Sequence, residues 1–187
     1  MTFLLAPEET KLITGEDLLA IGDLEPCELV EGRIIYMSPT GGEHGYVEFN
    51  LGGDLRAFVR KNQLGWVMGG EVGIYTHRDP DTVRGADVAF LSKTRFPHGV
   101  PQGFLETAPD LVVEVLSPSN TWDEIRTKIR EYFAAGVTWV WIVEPDHRVV
   151  LVYSSPTRFV ELLEGDILKG EGILKGFEVR VSTFFEK

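Results

Sequence analysis

Residues 109–145 read PDLVVEVLSPSNTWDEIRTKIREYFAAGVTWVWIVEP. The pattern changes twice along this stretch. Leu111 to Leu116 is a nearly continuous apolar run, the mark of a strand buried on both faces, and Glu114 is its single interior charge. Ser117-Pro118-Ser119-Asn120 breaks the strand. Thr121 and Glu124 then have the spacing of a capping box, in which the two residues satisfy each other's free backbone N–H groups. Ile125, Ile129, Tyr132 and Phe133 mark the buried side of the helix that follows, and Gly136 stops it. A second β-prone run, TWVWIVE, comes next.

Towards the C-terminus, TWVWIVE and RVVLVYS flank Pro145-Asp146-His147 and predict a hairpin, with FVELLE and EVRVS as further strand candidates. Towards the N-terminus, ADVAFL and WVMGGEVGIYT read as strands joined by a turn containing Arg78-Asp79-Pro80-Asp81. Before them, Val47, Leu51, Leu55 and Phe58 recur at helical spacing and predict a helix from about Glu43 to Asn62. Gly52 and Gly53 weaken that helix. CELV and RIIYMS flank Glu31-Gly32 as a hairpin, and Thr14 with Asp17 caps a short helix. No repeat or linker divides the chain, so residues 1–187 are expected to form one domain. Its expected class is α/β (α+β): a mixed β-sheet flanked by helices, with added β-hairpins.

Composition narrows the function. The chain carries 29 Asp and Glu against 18 Lys and Arg, a net charge of −11. That opposes broad electrostatic binding to nucleic acid, where clustered Lys and Arg normally supply affinity. It is compatible with a site that must concentrate carboxylates around a divalent metal. The one cysteine, Cys27, excludes an intrachain disulfide and a cysteine-based zinc site. No stretch is long and apolar enough to cross a bilayer, and the start does not read as a secretory signal, so a cytoplasmic location is expected. Gly41-Gly42 reads as a turn, not a phosphate loop, because no lysine follows in the required spacing.

Three acids stand alone in apolar strands: Glu71, Asp87 and Glu114. A buried carboxylate without a partner is costly, so something must compensate each one. If the three strands are neighbours, the acids converge and repel unless a metal sits between them. Hard oxygen donors suit Mg²⁺ or Mn²⁺. Lys128, on the flank of the Ile125/Ile129/Tyr132 stripe, has a stem long enough to bring its ammonium over the sheet. Removing Asp87 is expected to leave the metal-free fold intact or more stable, by relieving repulsion.

A strand Asp paired with a later strand Glu and a following helix resembles the PD-(D/E)XK nucleases. More narrowly, residues 109–145, together with ELVEGRIIYMSPTGGEH, GEVGIYT and RGADVAFLSK, resemble the restriction-endonuclease-like proteins of the Uma-two family. The resemblance implies a restriction-endonuclease-like fold and metal-dependent hydrolysis of DNA. Asp87 then corresponds to the motif aspartate, although Ala86 stands where the superfamily name puts proline. Glu114 corresponds to the acid of the E-x-K motif, but Leu116 stands in the lysine's place, which shifts that role to Lys128. His44 and Glu48, on the preceding helix, match the accessory polar residues. Asp110, following Pro109, is the literal Pro-Asp and a rival to Asp87.

Each residue also has a plainer reading. Glu114 can be neutralised by a structural Arg or Lys, Lys128 can pair with Glu124 at the surface, and Asp110 can merely open its strand. Trp139 and Trp141 are expected in the core or an interface, and Phe184-Phe185 over the sheet or in a homo-oligomer contact. Three functions compete: a metal-dependent DNA endonuclease, a nuclease fold that no longer cuts and serves as a binding or assembly module, and a hydrolase of some other phosphate ester.

Overall fold

A computed structural model describes residues 11–22 and 25–186. Most of the opening segment read above as non-secretory lies outside these. The elements run α1 (Gly15–Ile21), β1 (Cys27–Val30), β2 (Arg33–Tyr36), α2 (Gly42–Lys61), β3 (Gly65–His77), β4 (Thr82–Ser92) and β5 (Leu111–Val115). They continue with α3 (Trp122–Ala135), β6 (Trp139–Glu144), β7 (Val149–Ser155), β8 (Arg158–Leu162), β9 (Ile167–Lys169) and β10 (Glu178–Arg180). The expected N-cap at Thr14 and capping box at Thr121 both form, the former also as a capping box, and α3 ends on Gly136 in the left-handed region at φ 102°.

β1 to β8 make one mixed sheet, in which the pairing of β5 with β6 is parallel and the others are antiparallel. The strand, helix and strand predicted by residues 109–145 form, and the structure pairs the two strands in parallel with α3 between them. α2 packs on one face through Val47, Leu51, Leu55 and Val59, in a cluster with Phe90, Val113, Trp141 and Phe184. α3 packs on the other face through Ile125, Ile129 and Tyr132. Trp141 stacks on Phe177 in the first cluster, and Phe184 and Phe185 are buried beside it. β9 and β10 form a separate two-stranded sheet. No helix among the described residues is long and apolar enough to cross a membrane.

One topological feature positions the site. β3 runs along β4 for nearly its whole length on one edge. On its other neighbours' side, β4 meets β1 at Val83 and β5 only from Val88 to Phe90. Residues 84–87 of β4 therefore lie where β1 and β5 diverge, and the cleft opens at that fork.

Candidate functional site

The cleft has a volume of about 570 Å³ and lies between the start of α2, the fork in the sheet and α3. Glu28 of β1, Glu71 of β3, Arg84 and Asp87 of β4, Glu114 of β5, His44 of α2 and Lys128 of α3 all line it.

Asp87 is its centre. At the fork β4 lacks a ladder partner on the edge shared with β1 and β5, and the side chain supplies one: Asp87 Oδ2 accepts from the Val115 N–H at 2.6 Å. Oδ1 meets His44 Nε2 at 3.1 Å. One helical turn on, Glu48 Oε2 lies 3.9 Å from the same His44 nitrogen, and its Oε1 accepts from the Gly70 N–H at 3.2 Å. Burial works against a charge on His44, but the hydrogen bond and charge of Asp87, with Glu48 and Glu71, outweigh it and raise the pKa. Burial and the Asp87 charge raise Glu48.

Glu71 reaches the cleft by an unusual route. It sits at φ 60° in a bulge that interrupts β3 between Gly69 and Val72. Its Oε2 occupies the space beside Gly85, 2.5 Å from where a β-carbon there would stand. Glycine at 85 is what lets the carboxylate through. Burial, then the charge of Asp87, raises the Glu71 pKa.

On the far side of Asp87, Glu114 is buried. Tyr132 donates to its Oε1 at 2.5 Å, and Lys128 Nζ lies 3.5 Å from its Oε2. Burial pushes Glu114 up to about 8 against the pull of Lys128. The lysine is held more closely by Glu28, at 2.8 Å. Glu28 also accepts from Arg84 at 2.8 Å and from the Gly85 N–H at 3.0 Å. Glu131 grips Arg84 from α3 with bonds of 2.6 and 2.9 Å. Lys128 thus points into the cleft; Glu124, its surface alternative, is taken up in the capping box.

Asp110 stands apart. Its Oδ2 accepts from the Ser92 N–H at 2.8 Å and its Oδ1 meets Arg95 at 3.3 Å, where β5 begins. It does not line the cleft. Sequence reading missed Glu28, Arg84, Glu131 and the hydroxyl of Tyr132. Arg84 carried a usable signal, as a charge directly before an apolar strand run.

The donors suit a hard divalent cation. His44, Glu48 and Asp87 offer ligand atoms that lie within 4.8 Å of one another, a span one coordination sphere covers after small side-chain rotations. The oxygens match better than the imidazole, because His44 Nδ1 is buried with no partner among the described residues, and a ligating histidine usually donates through its second nitrogen. Of the acids read as metal ligands from the strands, Asp87 belongs to this group; Glu71 and Glu114 line the same cleft.

The model of the Uma2 family, described as "Putative restriction endonuclease", matches residues 16–182. Among solved structures, the chain is similar to "a putative nuclease belonging to DUF820" from Anabaena variabilis, with a TM-score of 0.80 and 20% identity, over 92% of this chain and 97% of that one. The likeness places the two chains in one fold. No curated protein matches the chain.

Proposed function

This chain belongs to the Uma2 family of "Putative restriction endonuclease" proteins, and from that premise we propose that it hydrolyses phosphodiester bonds of DNA in the cleft around Asp87. The observation that carries the reading is the position of Asp87. It lies between a His44/Glu48 pair on one side and a Glu114/Lys128 pair on the other, inside one cleft. Asp87 and Glu48 would hold Mg²⁺ or Mn²⁺, with His44, Glu71 and Glu114 as further donors. Such a cation, when bound, lowers the pKa of water and offsets charge on phosphate.

The chain's own residues do the rest. Lys128, fixed between Glu28 and Glu114, offsets the negative charge that builds on the phosphoryl oxygens as water attacks phosphorus and the leaving oxygen departs. Tyr132 holds the Glu114 carboxyl, and Arg84 holds Glu28, so the lysine's position is set by two buried acids. In this reading the whole chain acts as one domain.

Plasmid DNA incubated with Mg²⁺ or Mn²⁺ tests the proposal. Wild type is expected to nick or linearise it, chelator to stop the reaction, and Asp87→Asn to be inactive. Lys128→Met should also lose cleavage while keeping metal affinity within about tenfold, or roughly 1.4 kcal/mol. Cleavage by Asp87→Asn at the wild-type rate would sink the site. A second reading has its own support: Leu116 fills the usual lysine position, Lys128 is already ion-paired, and the net charge is −11. A wild type that binds DNA and metal but never cuts would make this fold a binding module.

A further inference from the structure

Five of the chain's arginines, Arg78, Arg84, Arg95, Arg126 and Arg148, are neutralised in ion pairs. Arg56 and Arg60 are not. Both are exposed on the last turns of α2, and with Lys93 after β4 they line a groove of about 440 Å³. No Asp or Glu lines it. None of the three cations has an ion pair or side-chain hydrogen bond among the described residues. Three unneutralised cations facing one groove, in a chain of net charge −11, form a local field opposite to that of the molecule. Such a field attracts polyanions.

The groove follows an open strand edge. β3 pairs only with β4 among the strands, so its other edge from Gly65 to Met68 carries no strand partner. Trp66 and Met68 are half-buried in the groove wall. Gly69 and Gly70 come next, both exposed, and the space where a side chain at Gly70 would stand is empty. Glu71 follows and enters the catalytic cleft. Four residue steps lead from Val67 to Glu71, about 13 Å, which matches the rise of about four base pairs.

We infer that the groove of Arg56, Arg60 and Lys93 at the open edge of β3 binds the phosphate backbone of a DNA substrate and leads it past Gly69-Gly70 to the cleft. The inference rests on the nuclease reading and supplies the cationic surface that the overall charge withholds. Gly70 leaves open space on the path between the groove and Glu71.

The test is fluorescence anisotropy of a labelled DNA duplex, read over about 50–200 mM salt, with the full chain carrying Asp87→Asn so that cleavage does not intervene. Adding Arg56→Ala, Arg60→Ala and Lys93→Ala together is expected to weaken binding by at least about tenfold. The slope of log affinity against log salt should fall by nearly three, at about 0.9 per phosphate contact. Lys175→Ala, outside the groove, should change neither. The three side chains are exposed and unpaired, so the melting temperature should hold; Arg60→Glu alone, with a smaller loss in the same direction, guards against a misfolded triple variant. A triple variant with the parent's affinity and slope, or a parent that binds no DNA, overturns the groove. If binding is lost as expected but wild type never cleaves with Mg²⁺ or Mn²⁺, the groove stands and the nuclease reading falls.

Discussion

Asp87 faces two ways: one oxygen accepts the Val115 N–H, the other meets His44. The sequence predicts that removing this acid spares or stabilises the metal-free fold. The structure argues the other way, because Val115 is buried and its N–H has Asp87 as acceptor. Asp87→Ala should therefore cost about 1–3 kcal/mol, offset in part by relief of repulsion with Glu48 and Glu71. Asp87→Asn keeps an accepting oxygen and should lose less. Urea unfolding of the two variants checks the order; an alanine variant as stable as the asparagine one would remove the capping role. Asp87, Glu114 and Lys128 were legible because a lone charge in an apolar strand or beside a helical stripe demands an explanation. Glu28 was not, since a charge in the short hairpin strand CELV fits simple alternation. Tyr132 read as core, which it is, but its hydroxyl has a polar task that apolar periodicity does not reveal. Asp110 shows the opposite error: the literal Pro-Asp pair marks a strand start tied to Arg95.

At the scale of elements, α3 is docked to the sheet by more than its apolar stripe. Glu131 clamps Arg84 of β4, and Lys128 reaches Glu28 of β1. Arg84 and Glu28 are buried, so breaking their pair leaves a carboxylate with less compensation in low dielectric. Arg84→Met should destabilise the protein by about 3 kcal/mol, seen as a lower denaturation midpoint with an unchanged slope. A loss below about 1 kcal/mol would mean that the network is solvated and dispensable. The helices were legible from their caps and stripes, because those signals are local. β9 was missed: three residues are too few for a period-2 pattern, and its partner β10 follows after a 3-10 turn at Gly172–Leu174. The fork between β1 and β5 was invisible for another reason. It depends on which strands share an edge of β4, and strand pairing is a long-range property that spacing along the chain does not encode.

For the molecule as a whole, the site sets how stability responds to pH. Burial raises Glu114 from 4.5 to about 8, and burial with the Asp87 charge raises Glu48 and Glu71. The His44 pKa is also raised: burial opposes its charge, and Asp87 outweighs that. A group with a raised folded-state pKa binds its proton more tightly in the folded chain. Its contribution to stability is complete below the unfolded pKa and is lost as pH rises through the folded one. All four groups act with this sign. Glu28 is different: burial opposes its ionisation, but Lys128 and Arg84 prevail and lower its pKa, so its contribution disappears only in acid. Lys128, raised further by Glu114 and Glu28 against the cost of burial, titrates well above neutrality. The metal-free protein should therefore lose stability steadily from about pH 5 to about pH 8, in the direction already favoured by self-repulsion at a net charge of −11. Glu114→Gln, which can still accept from Tyr132, should flatten much of that decline. Urea midpoints measured across the range for both proteins test this. A wild-type midpoint that rises with pH, or a glutamine variant with an undiminished decline, would show that the Glu114 carboxyl is already ionised in the folded chain at neutral pH, with Lys128 offsetting its burial.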